Sequence, residues 1–283
     1  MKLAVHLHFY YLEQLSEILT YLRSLKGQCC DLFVTMVEEN KKVQAQIKAV
    51  YPKAHIMVVP NYGYDLGPFI EFLHQIDLDK YDYVLKIHTK GNVSKNHTWL
   101  NGHRLDNKLW KQILFDALLK DKERVQSNLS LLENNPKIGM LSSKYCITKE
   151  KKTYRKLLLQ INKVLKELGF DEVEKLQFVA GTMFYVRAKL LKPLLRYNIK
   201  DFAPTDKEVK EGTFAHVIER LLGALVMAQG YTVYGIRHDH YTKQFILTSV
   251  KRFLFQKKKT TTGHIIIKLF HIPVYHKKGI RNV

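Results

Sequence analysis

The stretch Tyr81-Asp82-Tyr83-Val84-Leu85-Lys86-Ile87-His88-Thr89-Lys90-Gly91-Asn92 changes character halfway along. Its first half is apolar, β-branched or aromatic, which predicts a short buried strand. Its second half supplies two ammonium groups, an imidazole and a hydroxyl, and Gly91 ends it. In α/β proteins ligands bind just beyond the carboxyl ends of the strands. Lys86, His88 and Lys90 would then face a crevice and suit a ligand carrying two phosphates. The plainer reading is a strand end with solvated lysines.

Two more stretches could join that cluster. Pro60-Asn61-Tyr62-Gly63-Tyr64-Asp65-Leu66-Gly67-Pro68-Phe69 follows another predicted strand. Asp65 is placed to cap the next helix, because a carboxylate there accepts free N–H groups of the first turn. The alternative gives Asn61 or Asp65 the sugar or base of a nucleotide. Further on, Gly181 lets backbone approach something closely, and Arg187 ends the strand that follows it. His216, Glu219, Arg220 and Gly223 fall at i, i+3, i+4 and i+7, so they share one helix face. A glutamate on a mostly apolar helix is costly unless paired or functional. Glu219 is either the partner of Arg220 or a general base aimed at a pocket.

The elements that would hold these residues read as βαβαβ. Strands are predicted at Leu3–Tyr10, Asp31–Val37 and His55–Val59, with helices at Leu12–Leu25 and Glu39–Val50 between them. A helix follows to about Gln75. Further helices are expected over Leu105–Leu119, Lys122–Glu133, Lys149–Leu168 and Gly212–Gln229. Strands are expected at Ile138–Ser142, Met183–Val186 and Tyr231–Ile236. The rhythm implies an α/β fold with a mostly parallel central sheet flanked by helices. The domain division expected is 1–240, followed by a basic extension over 241–283.

The 283 residues are 46% apolar, enough for a sizeable core, and carry a formal charge of +20. That excess implies an anionic partner: nucleic acid, an anionic lipid surface or a phosphorylated substrate. Residues 241–283 contain ten of the cations and no Asp or Glu, interleaved with Phe245, Phe253, Leu254 and Phe255. Such a segment fits an anionic membrane surface, each cation contributing on the order of 1 kcal/mol there. A nucleic-acid arm is the competing reading, and a terminal helix packed on the domain is the plainest. Cys29, Cys30 and Cys146 form no spaced framework, which points to a reduced, cytosolic setting. His6, His8 and Glu13 make the start too polar for a signal peptide. No run approaches the ~20 apolar residues of a membrane span. Zinc spacing, a Walker loop, Gly-x-Gly-x-x-Gly and Gly-x-Ser-x-Gly are all missing from the sequence.

Five separated motifs together resemble the rhamnan synthesis protein F family of bacterial glycosyltransferases. They are Ala4-Val5-His6-Leu7-His8, Asn61-x-Gly63-x-Asp65-Leu66-Gly67-Pro68-Phe69, Lys86-Ile87-His88-Thr89-Lys90, Ala180-Gly181-Thr182-Met183-Phe184-x-Val186-Arg187 and His216-x-Ile218-Glu219-Arg220-Leu221-x-Gly223. The resemblance covers roughly residues 1 to 240. It implies a GT-A-like fold and transfer of a sugar from a nucleotide-sugar donor, with rhamnose from a dTDP-sugar as the leading candidate. The acceptor implied is a lipid-linked or growing cell-surface polysaccharide, met at the inner face of the cell membrane by a cytoplasmic, peripheral protein. No nucleic acid is expected.

Such folds place an Asp-x-Asp metal motif where this chain has Lys86-Ile87-His88. A divalent metal, Mg or Mn, is therefore not favoured here, with His88 as its ligand if there is one. Lys86, Lys90 and His88 would instead meet the charge that the leaving diphosphate gains. His238 and His240 stand where a further diphosphate contact is common. By the same resemblance Glu219 would deprotonate the acceptor hydroxyl in an inverting reaction. Asn61 and Asp65 would contact the donor, and Gly181, Thr182, Arg187 and His216 would line the acceptor side. The rival is a non-catalytic basic domain that binds nucleic acid or another polyanion. The enzyme needs Lys86, Lys90 and Glu219 to converge in one pocket; the rival needs a continuous basic stripe outside it.

Overall fold

The computed structural model describes residues 1–91, 98–100, 103–105, 107–149, 155–205, 213–237, 241, 250, 253–259, 265–270 and 272–277. Its elements run β1 (Leu3–His8), α1 (Leu15–Leu22), β2 (Cys30–Met36), α2 (Lys41–Val50), β3 (His55–Val58), α3 (Leu66–His74) and β4 (Tyr83–His88). Next come the hairpin β5 (Thr98–Leu100) and β6 (His103–Leu105), then α4 (Asn107–Leu119), α5 (Lys122–Asn134), β7 (Ile138–Ser143) and β8 (Ile147–Lys149). They continue with α6 (Arg155–Glu167), β9 (Gln177–Val179), β10 (Phe184–Arg187), α7 (Phe214–Ala228) and β11 (Thr232–Ile236). Three last strands are β12 (Phe255–Lys259), β13 (Ile265–Leu269) and β14 (Ile272–Lys277).

Seven strands form the main sheet in the order β11-β7-β10-β4-β1-β2-β3. All neighbours are parallel except β10, which runs against both β4 and β7. The expected class holds: a mostly parallel sheet flanked by helices. Consecutive residues of β10 show the two layers, since strand side chains alternate faces. Phe184 meets Phe69 of α3, while the Tyr185 hydroxyl donates to the Leu118 carbonyl of α4 at 3.0 Å. From β1 the chain steps one way through β2 and β3, then returns to place β4 on the other side. The switch point therefore lies between the carboxyl ends of β1 and β4, where His8 and His88 sit in register.

Two expectations, on Lys149 and on the terminal extension, were displaced by strand pairing. Lys149 does not open a helix; Ile147–Lys149 pairs with Gln177–Val179 as an antiparallel ladder, and α6 starts at Arg155. The segment Ala188–Arg196 is a 3₁₀ turn series carrying Pro193. The terminal extension, read most plainly as a helix, forms the three-stranded antiparallel sheet β12-β13-β14 among the described residues.

One glycine fixes how α7 meets the sheet. A Cβ on Gly223 would stand 1.9 Å from the Gln177 carbonyl oxygen of β9. Only a bare Cα lets the helix ride that close on strand backbone. Gly223→Ala is expected to cost on the order of 1–3 kcal/mol by overpacking, read as a lowered urea midpoint. An unchanged midpoint would mean that α7 lies farther out.

Candidate active site

A polar row runs under α3 at the switch point. His6 and His8 of β1, Thr35 of β2, and Lys86 and His88 of β4 point to one face of the sheet, and all are buried. The Thr35 hydroxyl contacts His6 Nε2 at 3.0 Å and His8 Nδ1 at 3.1 Å. His6 stacks on Phe72 of α3, with ring centroids 4.7 Å apart.

Lys86 has no solvent exposure. Its ammonium donates to the Asp65 carboxylate, and to the Thr182 carbonyl at 3.0 Å and hydroxyl at 3.2 Å. The Thr182 hydroxyl donates to the same Asp65 oxygen. Asp65 stands at the N-terminus of α3 but makes no side-chain cap there; the helix end forgoes it and the carboxylate turns to the lysine. Burial would raise the Asp65 pKa, yet His88, Lys86 and the hydrogen bonds from Lys86 and Thr182 outweigh it and hold the carboxyl well below its ordinary range. Burial pushes Lys86 down against Asp65's pull. The pair is ionised, since each partner's charge is what makes the other's burial tolerable.

The backbone at 181–182 is bent to serve this cluster. Gly181 has φ +88° and Thr182 +47°, the left-handed region that a β-branched residue rarely enters. The turn presents groups in three directions. The Gly181 carbonyl lies 2.9 Å from His88 Nε2, the Thr182 carbonyl accepts from Lys86, and the Gly181 N–H donates to Glu219 Oε1 at 3.3 Å. Glu219 thus joins Lys86 through two consecutive residues. Its Oε2 accepts from Arg220 at 3.0 Å. Burial raises the Glu219 pKa, with Arg220 and the Gly181 N–H opposing.

Lys90 closes the cluster on the α4 side. Its ammonium lies 3.7 Å from the Trp110 ring centroid, a cation–π contact. Burial lowers its pKa, with Asp65 and Glu219 pulling the other way. Gln14 clamps the Lys90 backbone, donating to its carbonyl at 2.6 Å and accepting from its N–H at 3.3 Å. The Thr89 hydroxyl faces backbone, accepting from the N–H groups of Tyr10 at 2.9 Å and Tyr11 at 3.0 Å.

Lys86, His88, Lys90, Asp65, Gly181, Thr182 and Glu219 therefore come together in one cluster. Several expected roles change. Lys86 was expected at the diphosphate, but its ammonium is sealed inside on three protein oxygens, so it positions Asp65 and Thr182 instead. Asp65, expected at the donor, spends Oδ2 inward on Lys86 and Thr182. Asn61 is pinned to the loop at Thr205, whose N–H reaches the Asn61 carbonyl at 2.9 Å and whose hydroxyl meets both Asn61 oxygens. Arg187 sits at the far end of the sheet, paired with Tyr83 at the start of β4. It donates to the carbonyls of Ile138 at 2.8 Å and Leu132 at 2.6 Å, which removes it from the acceptor side. His216 stands at the rim, with Nδ1 2.8 Å from the Thr213 hydroxyl and its ring 6.3 Å from that of Tyr64. His238 and His240 lie outside the described residues.

The place of an Asp-x-Asp metal motif does not suit a divalent cation here. An ammonium already occupies Asp65, and both His88 nitrogens face carbonyls, those of Thr89 and Gly181, each at 2.9 Å. Among the described residues no group of three His, Cys, Asp or Glu side chains is arranged to hold a metal.

His6, His8 and Thr35 were missed as members of the cluster. Their signal was two histidines at alternate positions of an otherwise apolar strand, which share a face by the period of two. Burial pushes the His8 pKa down to about 3, and His6 is likewise held well below 6.5. Between pH 6.5 and about 3 the unfolded chain takes up protons at His8 that the folded one refuses. Stability therefore falls on acidification, with a slope approaching ~1.4 kcal/mol per pH unit from His8 alone. Asp65 adds loss only lower, as pH falls below the ordinary carboxylate range. Urea unfolding at pH values from about 7 to 5 checks this; His8→Asn should flatten the slope, and an unchanged slope would remove His8 as its source.

The fold and cluster define an α/β protein with a buried polar cluster at the switch point between β1 and β4. The chain belongs to the rhamnan synthesis protein F family, whose sequence profile matches residues 1–231. The uncharacterized protein WxcX of Xanthomonas campestris pv. campestris (strain B100) is 25% identical over 232 residues, 81% of this chain and 32% of that protein. The chain thus spans about a third of the length of the curated relatives it matches. Among solved structures, S. aureus TarS 1-349 in complex with UDP-GlcNAc is similar at TM-score 0.43 and 12% identity, covering 84% of this chain and 57% of that one. The mannosyltransferase PcManGT from Pyrobaculum calidifontis, in complex with GDP-Man and Mn2+, is similar at TM-score 0.41 and 10% identity, covering 83% and 54%. Both structural likenesses are loose.

Proposed function

We propose that the chain is a GT-A-like, nucleotide-sugar-dependent glycosyltransferase that inverts at the anomeric carbon. Its donor is a dTDP-sugar carrying rhamnose. Its acceptor is a lipid-linked or growing cell-surface polysaccharide, reached from the cytoplasmic face of the membrane. The observation that carries this reading is the Gly181–Thr182 turn, which ties Lys86, His88, Asp65 and Glu219 into one cluster at the switch point.

In this reading the division of labour differs between the two lysines. Lys86 is structural. Lys90 holds an ammonium against an aromatic face with no carboxylate at ion-pair distance among the described residues. A partly desolvated cation of that kind gains most from an incoming anion, so Lys90 meets the donor diphosphate and its growing charge on bond cleavage. His238 and His240 are the further contacts the motif order suggests. Glu219 takes the acceptor proton: a carboxylate has about four lone-pair sites, and Gly181 and Arg220 use one on each oxygen.

A thermal-shift panel of dTDP, UDP, GDP and their sugars tests the donor class, run with and without EDTA. Saturation at about 100 Kd should add roughly 2.7 kcal/mol of stability, largest for dTDP and indifferent to EDTA. Lys90→Met should abolish the shift. No shift with any nucleotide would defeat the reading, and a shift lost in EDTA would defeat the metal-free site.

A further inference from the structure

The terminal sheet carries chemistry that the switch-point cluster does not use. Its strands β12, β13 and β14 contain Lys257, Lys258, Lys259, Lys268 and Lys277 and no acidic residue. Beside those cations the sheet and its approach leave large apolar side chains in solvent. Phe253, Phe255, Phe270, Ile272, Val274 and Tyr275 are each about half exposed or more, from 49% to 64%. The ladder sets Phe255 opposite Leu269 and Leu269 opposite Ile272; beyond a register shift at Ile267/Lys268, Ile267 stands opposite Tyr275 on one side and Lys257 on the other. Paired residues share a face of an antiparallel sheet, so Phe255, Ile267, Leu269, Ile272 and Tyr275 share one largely apolar face, on which the register also places Lys257. Phe270 has φ +48° at the turn into β14 and meets Phe253 edge-on at 6.0 Å. Aromatic rings are thereby gathered at the same end of the sheet.

We propose that this sheet is a docking face for an anionic lipid bilayer. Two properties must be met at once by whatever covers it. The occupant must accept half-exposed aromatic and aliphatic side chains, and it must neutralise lysines that have no acidic neighbour in the segment. A bilayer interface with anionic headgroups does both, because aromatic rings settle at the headgroup level while lysines reach the phosphates. A second copy of the chain fits less well, since its matching sheet would bring like charges together. Nucleic acid would answer the lysines but leave Ile272 and Val274 without a partner. The inference extends the membrane-side placement proposed above, yet vesicle binding needs neither donor nor turnover, so the two can fail separately.

The test is co-sedimentation of the full chain with two kinds of vesicle, phosphatidylcholine alone and phosphatidylcholine mixed with phosphatidylglycerol. Binding is expected only to the second, weakening as salt is raised. The triple change Phe255→Ser, Ile272→Ser and Tyr275→Ser alters exposed side chains only. It should weaken binding by about tenfold or more while leaving the nucleotide-induced thermal shift in place. Lys257→Gln with Lys258→Gln and Lys259→Gln should weaken it comparably and flatten the salt dependence. Equal binding to both vesicles, or unchanged binding by either variant, overturns the proposal. So does sedimentation showing a dimer that the serine variant dissolves, or duplex DNA competing the chain off the anionic vesicles at equal phosphate concentration and binding the serine variant as well as the parent.

Discussion

Lys86→Met is expected to remove on the order of 3–5 kcal/mol of folding stability. That is a large share of the ~5–15 kcal/mol a domain has in hand. Methionine has nearly the length and volume of lysine, so cavity formation is a minor part of the cost. The loss comes from what stays behind. Asp65 keeps the Thr182 hydroxyl and a histidine nitrogen at 3.8 Å, but loses the cation that holds its carboxyl ionised. The Thr182 carbonyl, which accepts from Lys86 at 3.0 Å, loses its donor inside the protein. Asp65→Asn alone should also be costly, because it leaves the ammonium buried beside a neutral amide. Combining the two removes both charges, and replacing a buried ion pair as a whole is often near neutral. The double variant should therefore recover stability relative to Lys86→Met, giving a coupling of roughly 1–3 kcal/mol in a urea-unfolding cycle. Additive losses would show that the pair does not act as one unit.

Much of the architecture was legible because it follows local pattern. The βαβαβ rhythm placed β1, β2, β3, α1 and α2 to within a few residues, since apolar periodicity sets those elements. The end of β4 was singled out from residue types alone, and Lys86, His88 and Lys90 do fall in the cluster. What could not be read was the direction each side chain takes. Lys86 and Lys90 look equivalent in Lys-Ile-His-Thr-Lys, yet one ammonium is sealed on Asp65 and the other lies over Trp110. That difference depends on residues at 65, 110 and 182, brought in by three separate segments. Arg187 ends its strand much as Lys86 and His88 end theirs. Because β10 runs antiparallel, that end lies opposite the cluster. Strand direction within a sheet is a tertiary property. Asp65 shows the same limit at closer range: position and type both fit a helix cap, and a buried ammonium outbids the helix end for it. The terminal strands were missed because, among the described residues, β12, β13 and β14 pair with one another alone, and their cationic, aromatic composition suits a helix face or a strand equally well.

Glu219→Gln should lower turnover by about 10²–10⁴-fold, the range for removing a general base, while nucleotide-induced thermal shifts persist. Glutamine is close in shape and keeps a carbonyl oxygen for the Gly181 N–H, which the carboxylate accepts at 3.3 Å in the parent chain. The turn that orders Lys86 and His88 should therefore survive, and donor binding with it. What the amide cannot do is take a proton. A second readout separates this from a packing effect. Burial raises the Glu219 pKa above 4.5, against Arg220 and the Gly181 hydrogen bond. A base works only when deprotonated, so turnover in the parent should fall as pH drops through that raised pKa. In the glutamine variant the residual rate should lose this acid limb. Glu219→Asp keeps the charge but draws it back by one methylene, so it should retain the limb at a reduced rate. If Glu219→Gln turns over like the parent, the carboxylate serves only to hold the Gly181 turn, and the base must be sought elsewhere around the crevice.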